Sequence, residues 1–193
     1  MVFAFPSCKK TEQNPQPDQT TTTTTETTTE DMGPTLSPSE AKATIIGTWI
    51  YDETISPQKF YGNYYNESIT KTKVQMRTTY KFSENGSYST SLTIMNITDV
   101  RKEYRSLMVE GARIKAENSG KFLTTNDVVY YENYADKVLD DILKDTKGTY
   151  QIDGNKLIYS DSTTEVFAFK GNQLIIKGNS QDTGDYKIVF NRK

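Results

Sequence analysis

The chain has 193 residues, of which 34% are hydrophobic, and its formal net charge at pH 7 is −2. This length suits one domain of ordinary size with an appended segment. The chain contains no histidine and one cysteine, which excludes histidine-dependent catalytic triads, the common zinc sites and an internal disulfide. These facts predict no metal, no cofactor and no catalytic residue, so we do not expect an enzyme.

Composition and charge divide the chain near residue 40. Residues 1–40 carry two lysines and six acidic residues, whereas residues 41–193 carry 21 basic and 19 acidic residues. Neither part contains a block of basic residues, so the sequence predicts no nucleic-acid partner. Nine threonines lie between Thr20 and Thr29, and such a segment buries too little apolar surface to offset the entropy of ordering. We therefore expect residues 9–40 to be a disordered, extended tether.

The first ten residues, MVFAFPSCKK, place the single cysteine between a short apolar stretch and the tether. This arrangement resembles the lipobox of bacterial lipoproteins, in which the cysteine becomes the first mature residue and carries acyl chains. Ser7 fits that pattern, whereas Phe5 and Pro6 depart from it, and the apolar stretch is shorter than a signal peptide requires. The resemblance implies that residues 1–8 are a truncated signal remnant and that Cys8 carries a lipid. The alternative is an unmodified thiol in a disordered terminus.

From residue 45 onward, alternating apolar and polar residues predict β-strands. Residues 74–82, VQMRTTYKF, alternate over the whole segment, and the Asn85-Gly86 pair that follows favours a tight hairpin turn. Three further segments have a hairpin pattern: residues 120–133, residues 148–161 around Asp153-Gly154, and residues 165–178 around Gly171-Asn172. The last predicted strand places four residues on one face: Tyr186, Ile188, Phe190 and Arg192.

Two segments have apolar residues at helical spacing instead. Residues 98–114 form the first, with Val100, Tyr104, Leu107, Gly111 and Ile114 on one stripe. Residues 134–146 form the second, with Ala135, Val138, Leu139 and Ile142 on one stripe. The acidic residues of the second helix alternate with lysines, which favours a solvated, ion-paired face over a calcium site; they are Asp136, Asp140, Asp141 and Asp145.

The strand count is eight to ten, in consecutive hairpins. Consecutive antiparallel strands with one apolar face either close into a barrel or leave exposed edges, and closure removes those edges. The sequence therefore predicts a mainly β protein in which residues 41–193 form an antiparallel up-and-down barrel. One or two helices are inserted mid-chain, and a disordered tail precedes the barrel.

Gly47-Thr48-Trp49 lies at the start of the first predicted strand, and Arg192 lies in the last. A Gly-x-Trp in this place, followed by hairpins and a terminal arginine, resembles the lipocalin superfamily, and in particular the lipocalin-like lipoproteins of bacterial envelopes. The resemblance implies that Trp49 packs across the closed base of the barrel against Arg192, a contact worth about 0.5–2 kcal/mol. It covers residues 45–193 and departs from lipocalins proper, which have one helix near the end. The alternative is that Trp49 anchors the core of another β-fold.

The same resemblance implies two sets of candidate ligand-binding residues. The loop of residues 56–68 either covers the mouth of a cavity, forms a contact patch or packs over a barrel edge, through Phe60, Tyr61, Tyr64 and Tyr65. Seven residues predicted to face inward line a cavity if one exists and otherwise fill the interior: Tyr51, Met76, Tyr80, Tyr88, Leu92, Phe167 and Phe169.

Two functional hypotheses follow. The first is a lipid-anchored, non-enzymatic envelope protein, at the outer membrane or cell surface, that binds a small apolar or amphipathic ligand. The second is a structural or interaction lipoprotein with a filled barrel that contacts another envelope or host protein.

Overall fold

A computed structural model describes residues 36–180 and 184–193, and within them eight antiparallel strands form a closed barrel. Each strand pairs with its neighbour in sequence, and β1 also pairs with β8, which confirms the predicted up-and-down barrel. The strands are β1 (Gly47–Ile55), β2 (Val74–Phe82), β3 (Ser87–Ile94), β4 (Thr146–Asp153), β5 (Lys156–Tyr159), β6 (Thr164–Lys170), β7 (Gln173–Ser180) and β8 (Gly184–Arg192). The predicted signal remnant, Cys8 and most of the predicted tether lie outside the described residues.

Four α-helices accompany the strands in the described part of the chain. They are α1 (Pro38–Ile45), α2 (Pro57–Tyr61), α3 (Ile97–Glu117) and α4 (Thr125–Ile142), and a short 3₁₀ turn, Gly62–Tyr64, follows α2. The helices α3 and α4 are inserted between β3 and β4, as predicted for the middle of the chain. None of the helices in residues 36–180 and 184–193 is long and apolar enough to cross a membrane.

The hairpin predicted for residues 120–133 is wrong, because α4 begins at Thr125 and ends at Ile142. The Thr124 hydroxyl accepts a hydrogen bond from the Asp127 amide (3.2 Å), and the Asp127 carboxylate accepts one from the Thr124 amide (2.9 Å). This capping box starts a helix in a segment whose valines and tyrosines favour strands. The buried residues Ala135 and Leu139 then pack in one cluster with residues of α3, and this packing outweighs local propensity.

Ion pairs join α3 to α4. Three of the four predicted aspartates are ion-paired, Asp136, Asp140 and Asp141, whereas Asp145 lies beyond the end of α4. Arg105 Nε donates to Asp136 Oδ1 (2.8 Å), and Arg101 Nη2 donates to Asp140 Oδ1 (2.7 Å). The hydrogen bonds from Arg105, and then from Arg101, hold the pKa of Asp136 below its usual range. The partners are mainly arginines of α3, because antiparallel helices bring these side chains side by side.

One apolar cluster fills the interior of the barrel, and a second lies at one end of it. The base is the end at which Gly47 lies opposite Phe82 in the β1–β2 ladder, and Ala41 and Ile45 of α1 pack into the interior cluster. A second cluster joins the opposite end of β1–β3 to α2, α3 and α4. Its buried members are Phe60, Tyr61, Val74, Ile94, Val100, Tyr104, Leu107, Ala135 and Leu139.

Candidate functional site

Trp49 lies at the base of the barrel, opposite Arg192 in the β1–β8 ladder. Its side chain is 1% exposed, and its Nε1 donates a hydrogen bond to the Ile45 carbonyl (2.7 Å). The guanidinium carbon of Arg192 lies 5.3 Å from the centroid of the indole ring. Arg192 Nη2 also donates to the Ile46 carbonyl (2.9 Å). These contacts tie the first strand to the last at the base.

Gly47 enters β1 with a φ of +134°, a backbone conformation that residues with a side chain rarely adopt. A Cβ at this position would also lie 3.5 Å from Arg192 Nη2. That distance is an ordinary van der Waals contact, so it is the backbone conformation at the entry into the strand that requires glycine.

We expect Gly47→Ala to lower the free energy of unfolding by about 1–3 kcal/mol, because alanine would be strained at this φ. Gly111→Ala is the matched control, since Gly111 lies inside α3 with open space around it, and it should raise the free energy of unfolding by up to about 1 kcal/mol. Urea unfolding followed by Trp49 fluorescence measures both. Equal effects of the two substitutions would contradict the role assigned to Gly47.

Aromatic rings occupy the barrel interior above the base. Trp49 and Phe169 have ring centroids 5.8 Å apart, and Phe167 lies edge-on to Phe169 at 5.6 Å. Tyr80 and Tyr88 belong to the same buried cluster, and Tyr51 packs against it partly buried. Of the remaining predicted inward residues, Met76 packs against the helical cluster and Leu92 is buried on β3.

The aromatic residues of the predicted loop divide into two pairs. Phe60 and Tyr61 are buried in the helical cluster, whereas Tyr64 and Tyr65 are exposed. The Tyr61 hydroxyl donates to Glu103 Oε2 (3.1 Å), and burial, followed by the charge of Glu103, raises the pKa of Tyr61. The first pair therefore packs among the helices at the end of the barrel away from the base, and the second pair faces solvent.

One carboxylate lies inside the barrel, toward the end away from the base. Glu165 is 3% exposed and shares a β6 face with Phe167. The Tyr159 hydroxyl donates to Glu165 Oε2 (2.6 Å), and the Tyr186 hydroxyl donates to Glu165 Oε1. Tyr80 and Tyr88 belong to the same buried cluster as Tyr159, and the Tyr88 and Tyr159 ring centroids lie 4.8 Å apart. We call Tyr80, Tyr88, Tyr159, Glu165 and Tyr186 the interior polar cluster.

The phenols of the interior polar cluster stay protonated at neutral pH. Burial is the largest cause that raises the pKa of Tyr80, Tyr159 and Tyr186, and the negative charge of Glu165 raises each of them further. Each of these phenols therefore keeps its proton as a hydrogen-bond donor, and Tyr159 and Tyr186 direct theirs to the carboxylate.

Two glycines leave room for the rings of this cluster. Gly178 lies opposite Tyr186 in the β7–β8 ladder, and a Cβ there would overlap the phenol of Tyr186. At Gly148 a Cβ would lie 2.8 Å from Cε1 of Tyr88. The absence of a side chain on β4 and β7 thus allows the two tyrosine rings to lie across neighbouring strands.

A hydroxyl beside the interior polar cluster has no partner among the described residues. Thr90 lies opposite Tyr80 in the β2–β3 ladder and is 9% exposed. Its Oγ1 is buried, and no hydrogen-bond partner for it lies within residues 36–180 and 184–193. A buried hydroxyl costs about 1–3 kcal/mol unless a bound water or another molecule accepts or donates a hydrogen bond there.

The β1–β8 ladder is short. It has two register pairs, Trp49 with Arg192 and Ile50 with Asn191, whereas the β7–β8 ladder runs from Gln173 to Ser180. Both register pairs lie near the base. Tyr186, toward the other end of β8, is half-buried, whereas the other four members of the interior polar cluster are buried.

Glu165 and Tyr159 were not among the candidates that the sequence suggested. The signal was present, because the alternation that places Phe167 and Phe169 inward also places Glu165 inward. A carboxylate at an inward strand position is the feature to look for, since buried charges need partners. In the described part of the chain, no group of three or more acidic or cysteine side chains is arranged to hold a metal ion.

No protein-family model matches the sequence, and comparisons with curated proteins and with solved structures give no significant match. The barrel and its interior are therefore the basis for a functional proposal.

Proposed function

We propose that the protein is a non-enzymatic, lipocalin-like binding protein of the cell envelope whose barrel takes up a small amphipathic ligand. The observation that carries the proposal is the interior polar cluster, a buried carboxylate with its phenols in an otherwise largely apolar interior. Small-molecule sites are mostly apolar and contain a few placed polar groups that fix the orientation of the ligand. The aromatic rings near Trp49 would contact the apolar body, and the cluster would contact the polar head.

The Thr90 hydroxyl would be a further hydrogen-bonding group for such a ligand. Buried hydroxyls are normally satisfied by a protein group, a buried water or a bound molecule. A ligand in the interior would supply the missing hydrogen bond beside Tyr80, and this would repay the desolvation of the hydroxyl.

Native mass spectrometry of the full-length chain purified from its native host, followed by organic extraction, tests ligand binding. We expect a bound small molecule that is released on extraction and has an apolar body with a polar group. A mass equal to that of the chain with its covalent modifications alone, with no shift on incubation with a panel of lipids and metabolites, would overturn the proposal.

We also propose that Cys8 carries a lipid and that the Thr-rich segment separates the barrel from the membrane. About 30 residues span roughly 100 Å when fully extended, which would let the barrel reach well beyond the lipid surface. Metabolic labelling with a tagged fatty acid should label the wild-type chain and the Ser7→Ala control, but not Cys8→Ser. Labelling that persists in Cys8→Ser would overturn the anchor.

A second candidate function, contact with another envelope or host protein, is favoured by large exposed hydrophobic residues on α3, on α4 and in the loop between them. Phe122 is 91% exposed, and Ile114, Tyr130 and Tyr134 are also exposed. If the barrel carries no small molecule, photo-crosslinking from position 122 in the native host is the next experiment. A crosslinked protein that disappears on Tyr130→Ser would support this function, and no crosslink would contradict it.

A further inference from the structure

The far half of the hairpin formed by α3 and α4 lies outside both apolar clusters. On α3 the clustered residues end at Met108, and on α4 they begin at Ala135. Residues 109–117 of α3 and 125–134 of α4 extend beyond them, over roughly 15 Å at the helical rise per residue. We call residues 113–124, at the end of this hairpin, the α3–α4 tip.

Two helix caps fix the short connection at the α3–α4 tip. The amides of Gly120 and Lys121 donate back to carbonyls of the last turn of α3 (2.9 Å each), and Gly120 has a φ of +66°. This pattern is a Schellman motif. The capping box of Thr124 then starts α4, so only residues 121–123 lie between the two caps. The backbone of Phe122 therefore belongs to a short, capped turn.

Phe122 is 91% exposed, more than any other large hydrophobic residue in the described part of the chain. Its neighbour Leu123 is half-buried and precedes the N-cap, a position from which apolar side chains commonly pack onto the start of a helix. Ile114 in the last turn of α3 and Tyr130 near the start of α4 are also exposed. Phe122 thus presents its ring to a surface outside the chain.

The charge of the α3–α4 tip is positive. Residues 113–124 contain three basic residues and one acidic residue. Arg113 pairs with Glu110 (3.0 Å), whereas Lys115 and Lys121 are exposed. Aromatic rings enter the head-group region of a bilayer, and lysines are attracted to anionic lipids. The tip therefore has the apolar and the charged groups that bind an anionic lipid surface.

The size of the α3–α4 tip favours a lipid surface over a protein partner. The end of two neighbouring helices is roughly 20 Å by 10 Å, or about 200 Å². Each partner of a stable protein complex buries about 800 Å², and its anchors lie at the centre of a broad patch. A bilayer needs no complementary pocket, because the lipids adapt to the ring that enters them.

We propose that the α3–α4 tip docks on an anionic lipid surface, with the Phe122 ring in the interfacial region and Lys115 and Lys121 at the phosphate groups. The proposal is independent of ligand binding in the barrel and of the lipid proposed for Cys8. A protein partner is the competing occupant of the tip.

Tryptophan fluorescence on vesicles tests this proposal with the full-length chain. The chain is coupled through Cys8, its only cysteine, to a maleimide lipid in vesicles of phosphatidylcholine mixed with phosphatidylglycerol. This coupling raises the effective concentration of the tip at the surface. In Phe122→Trp, the emission of the new indole should shift to shorter wavelength and be quenched by brominated lipids. Trp49 is 1% exposed, so its emission is a constant background.

Met95→Trp is the matched control for Phe122→Trp. Met95 is also a large exposed hydrophobic residue, but it precedes α3 and is separated from the far end of that helix by roughly 30 Å. The emission of the indole at position 95 should be neither shifted nor quenched. Adding Lys121→Glu to Phe122→Trp should reduce the quenching, and so should vesicles of phosphatidylcholine alone.

The outcomes distinguish the occupants of the tip. An unshifted, unquenched emission in Phe122→Trp, or equally strong quenching in Met95→Trp, overturns the lipid surface and leaves the tip to a protein partner. Quenching that is unchanged by Lys121→Glu and by removal of phosphatidylglycerol overturns the anionic surface. Since Phe122, Lys121 and Met95 are exposed, these substitutions remove no core contact, and a change in quenching reports on the tip.

Discussion

Replacing Trp49 by alanine is expected to lower the free energy of unfolding by about 3–5 kcal/mol. The substitution removes a side chain that is 1% exposed, and whose ring centroid lies 5.8 Å from that of Phe169. It also removes the hydrogen bond to Ile45 and the ring on which Arg192 lies. Domains of this size have a free energy of unfolding of about 5–15 kcal/mol. This single substitution would therefore remove a large fraction of the stability. Urea unfolding followed by far-ultraviolet circular dichroism measures the effect without relying on the removed tryptophan.

Phe122→Ala is the control for Trp49→Ala, since it also removes a large aromatic ring. Phe122 is 91% exposed, so its removal should change the free energy of unfolding by no more than about 0.5 kcal/mol. A loss below about 1 kcal/mol in Trp49→Ala would show that the base of the barrel does not depend on the indole.

The folded barrel is expected to lose stability steeply above pH 10. Burial raises the pKa of Tyr61, Tyr80 and Tyr159 above the usual value, and it raises the pKa of Tyr104 to about 12. Tyrosines in the unfolded chain ionise near pH 10. The stabilising contribution is therefore complete below pH 10 and is lost as the pH rises from 10 toward the folded values, because only the unfolded state then releases protons.

The size of this alkaline effect follows from linkage. Each tyrosine that stays protonated in the folded state at pH 12 costs about 2 kcal/mol of stability relative to pH 10, so a few such residues are enough to unfold a domain. Unfolding should be cooperative and should coincide in circular dichroism and in tyrosinate absorbance. Tyr104→Phe keeps the buried ring but removes one titrating proton, and its loss of stability per pH unit above 10 should be smaller than in the wild type. The same slope in both proteins would contradict this account.

The strands could be predicted from the sequence because their signal is local. Residues 74–82 alternate strictly, and the Asn85-Gly86 turn that follows has Gly86 at a φ of +78°. The α4 segment could not be predicted in the same way, since its valines and tyrosines have strand propensity. A capping box at Thr124 and packing of Leu139 against another helix decide its structure, and that packing is not local.

The candidate site was predicted in part. The positions of Trp49 and Arg192 near the two ends of the barrel sequence made their pairing foreseeable. The contact of Glu165 with Tyr159 and Tyr186 joins three strands, and it depends on the stagger of those strands around the barrel. Alternation gives the face on which a residue lies, but not the depth at which residues from different strands meet.

The short β1–β8 ladder has a consequence for the order of folding. Arg192 and Ile46 are 146 positions apart in the chain, whereas the other ladders join strands that follow one another. Closing so long a loop has a high entropic cost and slows folding. In the β1–β8 ladder only two register pairs offset this cost. We therefore expect the meander from β1 to β8 to form first and the barrel to close last at this junction. The junction should also be the first to open in the native state, as amide exchange by residues of β8 would reveal, while the other seven ladders stay intact.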